Sequence, residues 1–487
     1  MDTAIFSYCL SSEPIKYRSM PIRYCFGKYH LSIDSRTPYS VSQNQNGECA
    51  IFGYAVNVIT AKCDSIPDEI LTNCNSIDEV IEYEKNLGGK YIIFYNNKEE
   101  YYILGDATAS VPLFYYSIGS VFCSNNPQLI AERFDLSPNP QYLKIRHSSD
   151  ISQAMPFDIT VYKEIKQLLP NHYYDVNKAK SVRFVNSAGK QREMEVEEAT
   201  DKVLPMIDVL ARYYLNNFKI NCPITSGRDS RVVLAFLLAN GFDGSCCTIK
   251  HPEHTDKTQD IVVPGKLCSA AGVPHSIIKD VELTPSDLER MDDLLGKGNY
   301  STRTLRIAQT VKDHCANSAI INGDIIGQVG KCSLHRDIPA CFATPGYFRC
   351  KLHNYSHEAK QQLKLWIDEI KQSGEKINTF DLFSIENRMG RWAAQENLIY
   401  NSIGQIYLNV FNSRSIIYIW TAVSRNERKN SCIHIDLIKK KMPELLGIPF
   451  ERDESLLVRL SKANGLTYLL SSYAKYYIES VKFKRGN

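Results

Sequence analysis

No two cysteines of this chain stand in a C-x-x-C arrangement, although 15 cysteines are scattered along it. Zinc ribbons and redox dithiols need that close spacing, so neither is expected. An excess of one charge sign is missing too, since 57 Lys+Arg against 54 Asp+Glu leave a net +3. A nucleic-acid binder carries a basic footprint, so nucleic acid is not an expected partner. No apolar run approaches the roughly 20 residues that cross a bilayer. The most apolar late stretch, Ile416 to Val423, is far too short. Met1 to Ser11 shows no basic segment leading into an apolar core, so no secretory signal is expected. A soluble, cytoplasmic protein with reduced thiols and no membrane partner follows as the expectation. Internal repeats and low-complexity linkers are absent as well.

What is present is an ordinary globular composition: 487 residues, 44% hydrophobic and 23% charged. At roughly 150 residues per domain, two or three domains are expected. Ala50 to Val58, Lys90 to Asn96, Glu100 to Gly105 and Leu113 to Tyr116 read as short strands bounded by Gly, Asn and Pro. Asn96-Asn97-Lys98 reads as a hairpin turn, and Ile77 to Leu87 as the one clear early helix. Residues 1 to about 190 therefore form a mainly antiparallel α+β domain. Glu195 to Asn217 has helical periodicity and connects to a different pattern. Strands at Lys219 to Ile224, Ser245 to Lys250, His275 to Lys279 and Ser318 to Asn322 alternate with helices, among them Arg231 to Asn240 and Asp256 to Ala271. That alternation predicts βαβ units and a parallel sheet. The last strand runs into a loop, Gly323 to Lys331, and the chain after about residue 355 reads as helical.

The chemistry concentrates at Thr225-Ser226-Gly227-Arg228-Asp229-Ser230, between a strand and a helix. Ligands of parallel α/β sheets gather at the carboxyl ends of strands, where a small-residue turn and a helix N-terminus favour an anion. Thr225, Ser226 and Ser230 supply hydroxyls, Gly227 permits close backbone approach, and Asp229 suits Mg²⁺ between itself and a phosphate. A plain helix N-cap is the competing reading, because Ser and Asp are favoured there.

The run resembles the pyrophosphatase loop of the asparagine synthetase superfamily, Ser-Gly-Gly-x-Asp-Ser, with Thr225 for Ser and Ser226 for the first Gly. Further segments resemble the family in order along the chain. Cys247-Thr248-Ile249 matches the strand whose backbone reads adenine, and Asp256 or Asp260 the Asp opening the next helix. Asn322 to Gln328 resembles the second loop, Ser-Gly-x-Gly-x-Asp-Glu. Gly105-Asp106 to Tyr116 and Leu168 to His172 resemble the glutaminase-like domain, and Asn412-Ser413-Arg414 and Met442 to Phe450 the helical end of the synthetase domain. The resemblance implies an α+β glutaminase-like (Ntn-type) domain over 1–190, then an α/β ATP-pyrophosphatase (synthetase) domain with a parallel sheet and helical C-terminal region over 191–487. It implies ATP and Mg²⁺ as cofactors. Thr225, Ser226, Gly227, Asp229, Ser230, Thr248, Ile249 and Gly323 would bind nucleotide, Asp229 and Asp324 the metal, and Asp229, Asp324 and Arg414 would be catalytic.

Two departures matter. Glutamine-dependent members expose an N-terminal cysteine whose free amine is the base. Here Asp2 follows Met1, and the first cysteine, Cys9, lies in a strand-like run as a structural thiol. The chain thus resembles β-lactam synthetases and lasso-peptide cyclases, which retain an inactive glutaminase-like scaffold. The second departure is Gly327, where the family has an Asp on the metal; Asp324 or Gln328 is expected to stand in. Arg388 and Arg391, three apart beside Trp392, read as a solvated helix face. Lys429 or Lys462 would supply the family's cation, and His251, His254, His314, His335 and His434 read as surface or core residues. The expected activity is an AMP-forming ligation of a small-molecule, sugar-acid or peptide carboxylate to ammonia or an amine. The alternative is a catalytically weak nucleotide-binding or partner-binding homologue. With Asp2 at the nucleophile's position, incubation with glutamine should yield no glutamate above blank. Glutamate release abolished by Cys9→Ser would contradict this.

Overall fold

The first strands hold Tyr, Phe, Ile and Leu on alternate positions, and a computed structural model of the chain folds them into two six-stranded antiparallel sheets. The structure describes residues 5–17, 19–147, 155–185, 193–332, 336–354, 356–450, 460 and 463–485. One sheet runs Ile165–Gln167, Phe114–Tyr116, Phe122–Ser124, Tyr8–Ser11, Tyr29–Ile33, Ile22–Phe26. The other runs Lys180–Arg183, His172–Asp175, Tyr101–Gly105, Leu87–Asn96, Gly47–Asn57, Tyr39–Asn44. Leu10, Leu31, Phe52, Phe94 and Ile103 close the space between the sheets. The helices Ile66–Asn73 and Ile77–Glu84 cover the outer face of the second sheet through Ile51, Ile93, Ile70 and Val80. With both faces covered, all residues of Leu87–Asn96 are buried, which explains a near-continuous apolar run in an antiparallel setting.

The sequence singles out one early helix; Ile66–Asn73, Pro127–Arg133 and Pro140–His147 join it. Each has seven or eight residues with Pro at its first or second position, which reads in sequence as a turn signal. The hairpin at Asn96-Asn97-Lys98 is present, with Lys98 at a φ of 81°.

Beyond the long helix Val196–Asn217, which buries Val203, Ile207, Leu210 and Tyr214, the chain forms a five-stranded parallel sheet. Its order is His275–Lys279, Ser245–Lys250, Ile220–Pro223, Ala319–Ile321, Tyr407–Leu408. Mostly helical chain follows from Pro345, apart from the edge strand Tyr407–Leu408. The architecture is thus an α+β region of antiparallel sheets, a separate parallel sheet, and C-terminal helices. The expected boundary near residue 190 lies outside the described residues. No helix among the described residues is long and apolar enough to cross a membrane.

The two sheet systems share buried structure. One apolar cluster joins Cys9, Phe114, Phe122 and Ile130 to Ile278, Met291, Ile320 and Leu398. A polar seam runs beside it. Gly89 donates its N–H to the Asn412 carbonyl at 2.9 Å, and Asn412 Nδ2 returns to the Gly89 carbonyl at 2.6 Å and to Asp106 at 3.1 Å. Gly89 is required by the adjacent strand of its own sheet: at a φ of 131°, a Cβ there would lie 2.1 Å from the Tyr54 carbonyl oxygen. Arg414 is 2% exposed; it donates to Glu84 at 2.5 Å, to Asn171 at 3.1 Å and to the Gly105 carbonyl at 2.8 Å. Replacing Arg414 by Met strands Glu84 in the interior and should cost about 3–5 kcal/mol of stability in urea titration. Adding Glu84→Gln should recover part of that loss.

Candidate functional site

The parallel sheet aims every carboxyl strand end at one edge, and Ile220–Pro223 is its central strand. Leaving it, the chain turns through Thr225 to Gly227 into the helix Arg228–Ala239. The helix begins three residues earlier than periodicity indicates, because its first turn is polar and carries no apolar stripe. Asp229 and Ser230 therefore stand in the first helical turn, where a carboxylate complements the helix dipole. The N-cap is Gly227, with no side-chain cap bond, so neither Ser230 nor Asp229 serves as the plain N-cap. Ser230 Oγ instead accepts from Thr225 N at 3.1 Å and lies 3.2 Å from Thr225 Oγ1. Gly227 N donates to Thr225 Oγ1 at 3.2 Å. Ser226 donates to Asp260 from its N–H at 3.0 Å and also from its hydroxyl. Of the two candidate aspartates, Asp260 meets the loop, whereas Asp256 pairs with Lys250 at the surface. The turn is tied from within before any ligand arrives.

The second segment is not the open loop expected. After Ala319–Ile321, Asp324 N donates to Asn322 Oδ1 at 2.9 Å, and the chain winds into a π-helix, Ile326–Gly330. Such turns are rare and recur at functional sites. Gly323 and Gly327 form the wall behind Asp229. A Cβ on Gly323 would lie 2.9 Å from the Asp229 carbonyl oxygen, and one on Gly327 2.8 Å from Asp229 Oδ2. Gly327 is thus the seat of the Asp229 carboxylate. Asp324 accepts from Tyr407 Oη at 2.8 Å. Burial first, and then repulsion from Asp229, raise its carboxyl to about 6, against the pull of Tyr407 and Arg388.

Three groups here have no local sequence signal. His434, read as a surface or core residue, is wholly buried with Nε2 2.9 Å from Asp229 Oδ1. Burial lowers its pKa and favours the neutral imidazole, against Asp229. Lys331 Nζ lies 3.7 Å from the same oxygen. Glu396 Oε2 has no hydrogen-bond partner among the described residues, and burial, then Asp324, push its carboxyl well above the usual range. His434 and Glu396 lie in helical chain far from either loop, and only the fold could find them.

Arg388 and Arg391 do not form a solvated helix face. They belong to a second π-helix, Ser384–Ala393, whose wider turn splays positions three apart. Arg388 reaches Gln328 at 3.4 Å and stacks on Trp392 with its guanidinium 4.6 Å from the ring centre. Arg391 turns the other way, to Gln167 and the Ile159 carbonyl.

Thr248 and Ile249 lie on the adjacent strand, beside the first turn; Thr248 donates to the Ile224 carbonyl at 2.8 Å. Arg414 is apart from this group, its guanidinium spent in the seam. Lys429 is paired with Asp337 at 2.5 Å, His251 with Asp280 at 3.0 Å, and Lys462 and His335 lie outside the described residues. Among the described residues, no three His, Cys, Asp or Glu side chains are placed to hold a metal. Mg²⁺ asks less, since it is held through one or two carboxylates while phosphates and water complete its shell. Asp229 and Asp324 are the two carboxylates that this donor set would draw on, and Asp229 raises the cost of charge on Asp324.

No family model and no curated protein matches the chain. Among solved structures, an NMN synthetase from Francisella tularensis aligns at 14% identity and a TM-score of 0.19, over 43% of this chain and 94% of that one. The U34-tRNA thiolase NcsA from Methanococcus maripaludis aligns at 11% and 0.21, over 41% and 78%. The glutamine phosphoribosylpyrophosphate amidotransferase from B. subtilis aligns at 12% and 0.23, over 74% and 87%. Likenesses at such identities and scores are distant and carry no argument about family or activity. Gly327→Ala tests the site by itself: its methyl displaces the Asp229 carboxylate. It should weaken Mg·ATP binding about 10-fold (~1.4 kcal/mol) by calorimetry with the melting temperature nearly unchanged.

Proposed function

We propose that the chain is an ATP-dependent, AMP-forming carboxylate–amine ligase that does not hydrolyse glutamine. The observation that carries this reading is the internally tied turn Thr225–Ser230, at the end of the central parallel strand, with Asp229 seated on Gly323 and Gly327. In this reading the turn's N–H groups and hydroxyls face the pyrophosphate of ATP, with adenine beside Thr248 and Ile249. A carboxylate oxygen of the substrate attacks the α-phosphorus, the bond to the β-phosphate oxygen breaks, and pyrophosphate leaves. Ammonia or an amine then attacks the acyl carbon, loses a proton, and AMP departs.

Asp229 and Asp324 would hold Mg²⁺, which supplies charge neutralisation at the phosphates. The residues contribute donors placed where charge develops, the kind of preorganisation that usually dominates such catalysis. Arg388, half-buried over Trp392, adds a cation on the Asp324 side. Arg414 is a structural residue in this reading, because its donors are spent on Glu84, Asn171 and backbone carbonyls. Cys9 is 1% exposed, and burial raises its thiol well above the usual range, as befits a structural thiol.

One observation favours a second reading, a catalytically weak nucleotide-binding homologue. Asp229 already has His434 at 2.9 Å and Lys331 at 3.7 Å, so a metal would compete with an imidazole and an ammonium for it. Asp229→Asn separates the two. The ligase reading predicts a folded protein whose pyrophosphate release falls about 10²-fold or more. Unchanged release with intact folding would sink the assignment.

A further inference from the structure

Lys90 is the one charged residue of Leu87–Asn96, and it is 1% exposed. Its Nζ crosses to the parallel-sheet side and donates to Asn397 Oδ1 at 2.7 Å, Asn401 Oδ1 at 2.9 Å and the Tyr407 carbonyl at 3.3 Å. The Phe6 ring lies beneath it at 5.0 Å. Among the described residues, no carboxylate bonds it. The charged groups around it are Asp106 on its own side, Asp324 across a shared cavity, and Glu396 on the helix it grips.

An ammonium buried against neutral acceptors costs stability, and an apolar side chain of the same length would carry a smaller desolvation cost. What the ammonium provides is geometry. Asn397 and Asn401 lie one turn apart on Ala394–Ser402, the helix that carries Glu396. Tyr407, whose carbonyl Lys90 holds, donates its hydroxyl to Asp324. Lys90, Asn397, Tyr407 and Asp324 line one small cavity of about 20 Å³ at the junction.

We propose that Lys90 is a positioning residue through which the antiparallel half fixes the helix Ala394–Ser402 and the strand Tyr407–Leu408, and with them the placement of Glu396 and Asp324. The proposal deepens the ligase reading and rests on it only for the site's task.

Burial lowers the amine to about 7, with Asp106 opposing. An ammonium donates three hydrogen bonds and a neutral amine two, so the grip loosens as pH rises through that value. Stability moves the other way. The unfolded chain holds this proton to about 10.4, so between about 7 and 10.4 it binds more protons than the folded chain, and Lys90 makes stability rise with pH there.

Hydrogen exchange read by mass spectrometry on the full chain tests this without turnover, so failure of the ligase reading leaves the test intact. Lys90→Met should melt at the same or a higher temperature, yet residues 394–408 should exchange about 10-fold faster at pH 6. In the wild type the same segment, corrected for intrinsic rates, should loosen between pH 6 and 8.5 while the rest of the chain does not. Unchanged exchange of 394–408 in Lys90→Met, or loosening of the whole chain with a lower melting temperature, would overturn the proposal. Should Lys90→Met fail to fold, the wild-type comparison and Lys90→Gln decide, and no pH-dependent loosening confined to 394–408 would refute it.

Discussion

A guanidinium in the interior is tolerable only where its donors are met, and the joint between the two sheet systems depends on that condition at Arg414. Arg414 draws together the helix end at Glu84, the turn after Tyr101–Gly105, and Asn171. Asn412 holds Gly89 and Asp106 beside it, and Thr108 donates to Asn412 at 3.1 Å. Farther along the joint, Arg183 donates to Glu386 at 2.6 and 2.7 Å, at the start of the π-helix that bears Arg388. Breaking any of these leaves a buried charge or amide unmet, so the two sheet systems are held in one arrangement by polar groups as well as by shared apolar packing.

That constraint gives the candidate site its rigidity. Asp229 is fixed by the helix it starts, by the glycine wall of the neighbouring π-helix and by His434. Asp324 is fixed by Tyr407, on an edge strand that Lys90 holds from the far side. Asp229 raises the cost of charge on Asp324. An arrangement that keeps such groups close spends stability for placement, as sites often do.

Much of the scaffold was legible because it is local. Ser245–Lys250 and His275–Lys279 match their apolar runs residue for residue, and Val196–Asn217 differs from its periodic stretch by one residue. The polar turn Thr225 to Ser230 between the central strand and its helix was legible for the same reason, as six contiguous residues. Three helices of seven or eight residues with Pro at their first or second position were missed, since Pro reads there as a turn signal. The π-helices were missed because their spacing differs from the α pattern used to read Arg388 and Arg391. Three segments quoted for the family resemblance, Gly105-Asp106, Asn171 and Asn412 to Arg414, meet at the joint and not at the turn. Arg414, read as catalytic from its place in the resemblance, spends its donors at this joint. His434 and Glu396 act at a distance in the chain and left no motif. Lys90 did leave a trace, a lone charge in an apolar strand.

The central claim is that the turn supports attack at the α-phosphorus of ATP. Phosphorus-31 spectra of Mg·ATP turned over by the full chain with mixed carboxylates and ammonium read this directly. The account predicts AMP and pyrophosphate in equal amounts. ADP and phosphate as the products, or bound ATP that stays intact in every mixture, would contradict it.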